Sequence, residues 1–304
     1  MKHLLEVDTW SSAQLKQTLH LAQMLKLEWQ SGGNRPVLAG KLLGMVFQKP
    51  SLRTRVSFEV AMKHLGGDAI YLSPQEIGLG TRESIPDVAR VLSGYVQGIM
   101  ARVYEHAHVE ELARWASVPV INGLSDSAHP CQALADILTI AETFGELKGL
   151  KVAYIGDGNN VAASLLLACA QFGLDFSIAT PVGYELPAHV IQKAHALNDQ
   201  IEIKQCHDVH LAAQSAHVLY TDTWISMGQE AEAEQRRAVF RGYQINEQLL
   251  SLAHRRCIVL HCLPAHRGEE ITDSVADGPR SAIFQQAENR LHVQKAILVQ
   301  LLVH

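Results

Sequence analysis

Leu42-Leu43-Gly44-Met45-Val46-Phe47, followed at once by Gln48-Lys49-Pro50-Ser51-Leu52-Arg53-Thr54-Arg55-Val56-Ser57-Phe58-Glu59, is the stretch around which the chain is organised. Its first six residues are an apolar run of strand length. Val56, Phe58, Val60, Ala61, Met62 and Leu65 then suit a partly buried helix that stops at Gly66-Gly67. Pro50 forces its neighbour out of helical geometry, so Ser51 falls where a helix N-cap belongs. A helix start offers unpaired backbone N–H groups and the positive end of the peptide dipole. With the hydroxyls of Ser51 and Thr54 and the guanidinium groups of Arg53 and Arg55, the place suits a phosphate. A merely capped surface helix would set two arginines against its own dipole.

Working outward, residues 11–30 carry a helical pattern through Leu15, Leu19, Ala22, Leu25 and Leu27, and the glycines and proline of 31–36 end it. After the first strand and helix come a strand at 69–72, a polar loop at 73–83 and a helix at 84–95. A strand at 98–103 follows, ending in Arg102-Val103, then a helix at 106–116 and a strand at 118–122. A second series begins near residue 149: strand, polar turn at Gly156-Asp157-Gly158-Asn159-Asn160, and helix 161–173. Further strands fall at 176–180, 201–203, 217–222 and 257–261, with a helix at 187–197 between the first two. Strands alternating with helices at this spacing imply two open parallel-sheet α/β domains with helices on both faces, and a cleft between them. The expected division is 1–130 and 149–284, linked by a helix within 131–148, with a helix over about 285–304 returning to the first domain.

Composition narrows the function. The chain has 304 residues, 47% hydrophobic and 19% charged, an ordinary globular balance with ample core. A formal charge of -5 with no basic stripe gives no support to nucleic-acid binding. No apolar run approaches the roughly 18 residues of a membrane span, and the N-terminal residues break into charge too early for a signal peptide. Five cysteines, odd in number and without a C-x-x-C pair, suit a reducing cytoplasm.

Two motifs point toward other chemistry and fail on inspection. Gly156-x-Gly158 follows a strand, but Val161 stands where the dinucleotide fingerprint needs a third glycine, and Thr180-Pro181 lies where its acidic residue belongs. His261 and Cys262 are adjacent, and adjacent strand residues point to opposite faces, which rules out a base–nucleophile pair from a strand. The stronger signal is collective. Ser51 to Thr54, Arg102, His129 to Gln132, Asn159-Asn160, Asp222 and His261 to Pro264 all fall at strand ends, where open α/β sheets bind ligands.

Taken together, Ser51-Leu52-Arg53-Thr54-Arg55, His129-Pro130-Cys131-Gln132, Asp222-Thr223-Trp224-Ile225-Ser226-Met227-Gly228 and His261-Cys262-Leu263-Pro264 resemble the ornithine carbamoyltransferases. The likeness runs to Ala287-Glu288-Asn289-Arg290 and so covers nearly the whole chain. It implies a cytoplasmic enzyme, homotrimeric or a higher assembly of trimers, that needs neither metal nor organic cofactor. It carries a carbamoyl group from carbamoyl phosphate to the δ-amine of L-ornithine.

The resemblance also implies roles. Ser51, Leu52, Arg53, Thr54 and Arg102 would hold the phosphate. Thr54, Arg102 and His129 would polarise the carbamoyl oxygen. Gln132, with Pro130 and Cys131 beside it, would meet the carbamoyl NH2, helped by Cys262, Leu263 and Arg290. Asp222 would pair with the α-ammonium of ornithine, while Asn160, Ser226 and Met227 would meet its α-carboxylate. Cys262 would shape the pocket and orient Asp222 rather than act as a nucleophile. Alternatives are a carbamoyltransferase for aspartate or an acylated ornithine, a dehydrogenase, and a silent binding subunit. The chain departs from the family at Leu52, often Thr, at Ala163, often polar, and at Gly78. Relatives often carry Gln or His at that last position, reaching a neighbouring subunit's ligand; Arg82 or Gln75 could replace it.

Overall fold

The computed structural model describes residues 2–226 and 228–303, and the chain divides into two units, Met1–Leu138 with Asn289–His304 and Thr139–Glu288. The first unit runs α1 (Ser12–Gln30), β1 (Leu42–Phe47), α2 (Leu52–His64), β2 (Asp68–Leu72), α3 (Pro74–Ile77), α4 (Ile85–Ser93), β3 (Gly98–Arg102), α5 (His106–Trp115), β4 (Val120–Leu124) and the start of α6 (Pro130–Phe144). Its strands lie in the order β2-β1-β3-β4, every pair parallel. Leu43, Met45, Val46 and Phe47 of the central β1 are fully buried, which is why the strand reads as a continuous apolar run rather than an alternation. The chain leaves β1 toward one edge and crosses back to β3 on the other side. Crossover helices therefore cover both faces, and the order switches between β1 and β3.

The second unit continues α6 and adds β5 (Lys151–Ile155), α7 (Asn160–Phe172), β6 (Asp175–Ala179), α8 (Ala188–Leu197), β7 (Ile203–Cys206), α9 (Val209–Ala213) and β8 (Val218–Thr221). It then runs through α10 (Ala233–Phe240), α11 (Glu247–Leu252), β9 (Ile258–His261), α12 (Asp273–Ala276) and the start of α13 (Ile283–Leu302). The parallel sheet has the order β7-β6-β5-β8-β9, with its switch between β5 and β8. From Val161 onward α7 is buried on every side, as its mostly apolar content requires.

The later part of α13 belongs to the first unit, where polar contacts fasten it to the N-terminal segment. Thr18 Oγ1 donates to Gln300 Oε1 at 2.7 Å, Lys26 Nζ to Asn289 Oδ1 at 2.8 Å, and Lys295 Nζ to Asn34 Oδ1 at 2.7 Å. Burial lowers the Lys295 ammonium to a pKa of about 8.

Several elements differ from the sequence reading; α9 to α12 fall where it placed no helix. The loop at 73–83 contains α3, a single turn closed by a capping box: Glu76 N–H donates to Ser73 Oγ, and Ser73 N–H to Glu76 Oε2. β4 starts at Val120, not 118, because Pro119 has no N–H for the ladder and contributes only its carbonyl, to Ile99 N–H at 2.9 Å. β7 occupies 203–206, not 201–203; it pairs only with β6, and this edge position tolerates Lys204 and Gln205. No helix among the described residues is long and apolar enough to cross a membrane.

Candidate active site

In the first unit, polar side chains gather at the carboxyl ends of β1 and β3, the strands that flank the switch. Ser51 caps α2, accepting from Thr54 N–H at 3.4 Å and donating its hydroxyl to Thr54 Oγ1 at 3.1 Å. Leu52 and Arg53 follow within the first helical turn, whose backbone N–H groups have no intrahelical acceptor. The Leu52 side chain is 75% exposed, so backbone alone can serve a ligand there. Arg102 closes β3 opposite Phe47, and its carbonyl accepts from Gln48 N–H at 2.8 Å. Thr54 is fully buried, and Arg290 of α13 donates to its Oγ1 at 3.2 Å. Arg55 departs from the sequence reading: its guanidinium lies 4.1 Å from the Tyr71 ring centroid and 3.8 Å from Glu59, engaged on the helix flank.

Lys49 was not singled out from the sequence. It is buried, and that burial, then Arg102, lowers its pKa to about 8, with Asp126 opposing. Its place just before the helix start was the signal that could have found it. His129 is held well below the ordinary histidine range by burial first, then by Arg290, Arg102 and Lys49, so it is neutral at pH 7. Pro130 opens α6, and Cys131 is fully buried, its Sγ donating to Asn122 O at 3.6 Å and its thiol pushed up to about 12 by burial. Gln132 donates from Nε2 to Asp136 Oδ1 at 2.8 Å.

In the second unit the groups stand at the ends of β5, β8 and β9. Asp222 follows β8 and is mostly buried. Its Oδ2 accepts from Asn159 Nδ2 at 2.9 Å, and its Oδ1 accepts from Thr223 N–H at 2.7 Å and from Cys262 Sγ at 2.8 Å. Asn159, to which the sequence reading gave no role of its own, makes the contact from β5's end. Asn159 is also the N-cap of α7, accepting from Val161 and Ala162 N–H, while Asn160 is the first helical residue. An asparagine immediately before an Ala-rich helix was the available signal.

Cys262 lies one residue past β9, outside the strict alternation of a strand. His261 accordingly comes nearer to it than expected: ligating atoms of Asp222, His261 and Cys262 fall within 4.8 Å of one another. Such a set could hold a cation by kind and distance, but hydrogen bonds already occupy it. His261 Nδ1 accepts from Leu263 N–H at 2.9 Å, so its proton sits on Nε2, which faces buried Glu270 Oε1 at 2.9 Å. Leu263 has φ +57°, a left-handed conformation that a leucine holds only under local constraint, and Leu263-Pro264 is cis. Ser226 N–H donates to Gln229 Oε1 at 3.0 Å, and Met227 lies outside the described residues.

Behind this cluster Arg236 of α10 donates to the Trp224 carbonyl and pairs with Asp157 at the end of β5. Burial raises Asp157 above the usual carboxylate range, the arginine opposes that, and Asp222 adds to it. Gly78 ends α3 at φ +48°, and a Cβ there would come within 2.7 Å of Arg82 Cβ. A glutamine or histidine would be strained at that position. Arg82 donates to the Glu76 carbonyl at 3.2 Å.

Residues 2–142 match the aspartate/ornithine carbamoyltransferase carbamoyl-P binding domain, and residues 148–301 match the Asp/Orn binding domain of the same family. Ornithine carbamoyltransferase of Pyrococcus abyssi is 54% identical over 303 residues, 99% of this chain and 96% of that protein. The Bacillus subtilis enzyme of that name is 56% identical over 270 residues, covering 88% and 85%. The structure of ornithine carbamoyltransferase from Pyrococcus furiosus superposes with a TM-score of 0.96 at 52% identity, covering 99% of this chain and 97% of that one. With both domain matches and this identity over its full length, the chain belongs to the aspartate/ornithine carbamoyltransferase family.

Proposed function

We infer that the protein transfers the carbamoyl group of carbamoyl phosphate to the δ-amine of L-ornithine, giving L-citrulline and phosphate. The observation that carries this reading is the carboxylate of Asp222, buried and held by three neutral donors in the domain that binds the second substrate. A buried carboxylate so held is suited to an α-ammonium. Carbamoyl phosphate takes the other unit: Ser51, the N–H groups of Leu52 and Arg53, the Arg53 side chain, Thr54 and Arg102 hold its dianionic phosphate. Thr54, Arg102 and neutral His129 donate to the carbamoyl oxygen, where negative charge grows during attack. Gln132 meets the NH2, and Arg290 completes the first unit's carbamoyl contacts.

Asn160 and Ser226 meet the ornithine carboxylate, with Asn159 and Cys262 fixing Asp222. The δ-amine attacks the carbonyl carbon, the C–O bond to phosphate breaks from a tetrahedral intermediate, and the departing phosphate takes the amine's proton. Catalysis is positioning plus electrostatics. The anabolic designation of the Pyrococcus furiosus relative supports the direction toward arginine. The working form is a cytoplasmic homotrimer, as the family resemblance implies, and five cysteines, odd in number and without a C-x-x-C pair, suit that compartment. Gly78 carries no side chain to a neighbouring subunit, so any such contact falls to Arg82 or Gln75.

The test is citrulline formation from carbamoyl phosphate and ornithine, with aspartate and acetylornithine as competing acceptors. Transfer to ornithine at least a hundred times faster than to either is expected. Preference for aspartate or acetylornithine overturns the substrate assignment. Light scattering that gives the mass of one chain or two overturns the trimer.

A further inference from the structure

We propose that Asp136 is the positioning residue that makes the site select a carbamoyl group over an acetyl group, by holding the Gln132 amide with its carbonyl oxygen toward the substrate's NH2. The inference rests on the reading that Gln132 meets that NH2. Gln132 and Asp136 lie four residues apart on α6, one turn along the same face. Asp136 is fully buried and Gln132 is 1% exposed, and Gln132 Nε2 donates to Asp136 Oδ1 at 2.8 Å. A carboxylate only accepts, so the NH2 branch of the amide is the one that faces it. The other branch, Oε1, is buried and accepts no hydrogen bond from any described residue.

A buried acceptor without a donor destabilises whatever leaves it so. The carbamoyl NH2 supplies donors, and a methyl group of similar size supplies none. With the amide reversed, Gln132 would present its own NH2 to that of the substrate, donor against donor.

Nothing else in the motif makes this choice. Carbamoyl phosphate and acetyl phosphate share the phosphate and the C=O, so Ser51, Arg53, Thr54, Arg102 and His129 treat the two alike. Pro130 has no N–H, and the Cys131 thiol is given to Asn122 O. A site built to satisfy a substrate N–H rejects the analogue lacking it by several orders of magnitude, because its own polar atom is then stranded. The orientation of one amide thus carries this motif's share of the discrimination, and Asp136 sets that orientation without touching substrate.

The experiment compares acetyl phosphate as a competitive inhibitor with carbamoyl phosphate as substrate, as the ratio of KI to KM, in the full-length protein. The ratio is independent of the fraction of enzyme folded, which guards against a partly misfolded variant. Inorganic phosphate binding is measured alongside. The expected wild-type ratio is on the order of 10³ or more. Asp136→Asn offers Gln132 both a donor and an acceptor, so the amide turns freely. The ratio should fall at least about tenfold, through the KM for carbamoyl phosphate, with phosphate affinity within about twofold of wild type. Gln132→Met should lower the ratio further than Asp136→Asn does. If Asp136→Asn keeps the wild-type ratio while Gln132→Met loses it, the positioning role is overturned and the role of Gln132 stands. If Gln132→Met keeps the ratio too, the underlying reading falls with it. Equal weakening of phosphate and carbamoyl phosphate in Asp136→Asn overturns the proposal in favour of a purely structural aspartate.

Discussion

At the switch point of the first sheet the side chains are cations and hydroxyls; at that of the second they are a carboxylate, an amide and a thiol. In the first unit burial, then Arg290, Arg102 and Lys49, lowers the pKa of His129, and burial, then Arg102, lowers that of Lys49. A bound dianion offsets those positive charges. In the second unit the hydrogen bonds to Asp222 come from Asn159, Thr223 and Cys262, all neutral. The nearby cation, Arg236, is spent on Asp157. Asp222 is therefore fixed in position without being neutralised, and its charge is left for a ligand. The same backbone device, polar residues at strand ends beside a switch, serves opposite ligand charges because side chains there can be exchanged without disturbing the sheet.

The largest break in this contrast is Asp222→Asn. Removing one partner of a largely buried charge pair costs about 3 kcal/mol. Steady-state kinetics should show the KM for ornithine rising about a hundredfold while the KM for carbamoyl phosphate stays near wild type. Equal rises in both would mean that the carboxylate organises the fold and not one ligand. Arg53→Ala comes next, on the cationic side. Loss of a charge-assisted contact to a dianion should weaken carbamoyl phosphate binding by at least ~2 kcal/mol in calorimetry, with Arg53→Lys restoring only part. Unchanged affinity in Arg53→Ala removes that residue from the phosphate site.

Lys49 makes the cationic site sensitive to pH. In the free protein its ammonium titrates near pH 8. A bound dianion raises that pKa, so above pH 8 binding must draw in a proton. Affinity for carbamoyl phosphate should be flat below about pH 8 and fall above it, by up to about 1.4 kcal/mol per pH unit until the bound-state pKa is reached. Folding runs the other way. The unfolded lysine keeps its proton up to the ordinary 10.5, so between about 8 and 10.5 the unfolded state binds more protons and this residue's contribution to stability rises with pH. Lys49→Met should flatten the binding profile; a profile unchanged by the substitution assigns the slope to another group.

Most of the sheet architecture was legible because a parallel strand buried on both faces writes itself as an apolar run, as in 42–47 and 98–102. Edge strand β7 was misplaced because burial on one side leaves a weaker pattern. Short helices such as α3 and α9 span too few residues for a period to show. Strand order is a non-local property, so the clustering of site residues at two switch points emerged only with the sheets built. Residues that act through others were the least visible. Asn159, Asp136 and Glu270 carry no motif of their own, and their partners lie one turn or one strand away. Arg55 shows the opposite error, a residue of suitable charge that finds Tyr71 and Glu59 instead.

The smallest effect expected is that of Cys262→Ser, and it bears on whether the anionic side of the comparison contains a nucleophile. A thiolate attack on carbamoyl phosphate would release phosphate and leave a carbamoylated enzyme before ornithine arrives. The local geometry opposes it. Sγ–H donates to Asp222 Oδ1 at 2.8 Å, and a thiolate there would face a carboxylate at hydrogen-bond distance. The neighbouring imidazole offers no base, since His261 Nδ1 accepts from Leu263 N–H and its protonated Nε2 faces Glu270. Once deprotonated, the δ-amine of ornithine needs no relay. The role proposed for Cys262 is to orient Asp222 through this hydrogen bond, and a serine hydroxyl can make the same donation with a shorter reach. Turnover should persist, with a cost of about 1 kcal/mol appearing mainly in the KM for ornithine. Rapid mixing with labelled carbamoyl phosphate in the absence of ornithine decides the matter. No burst of phosphate is expected; a stoichiometric burst with label retained on Cys262 after denaturation replaces direct attack with a covalent route.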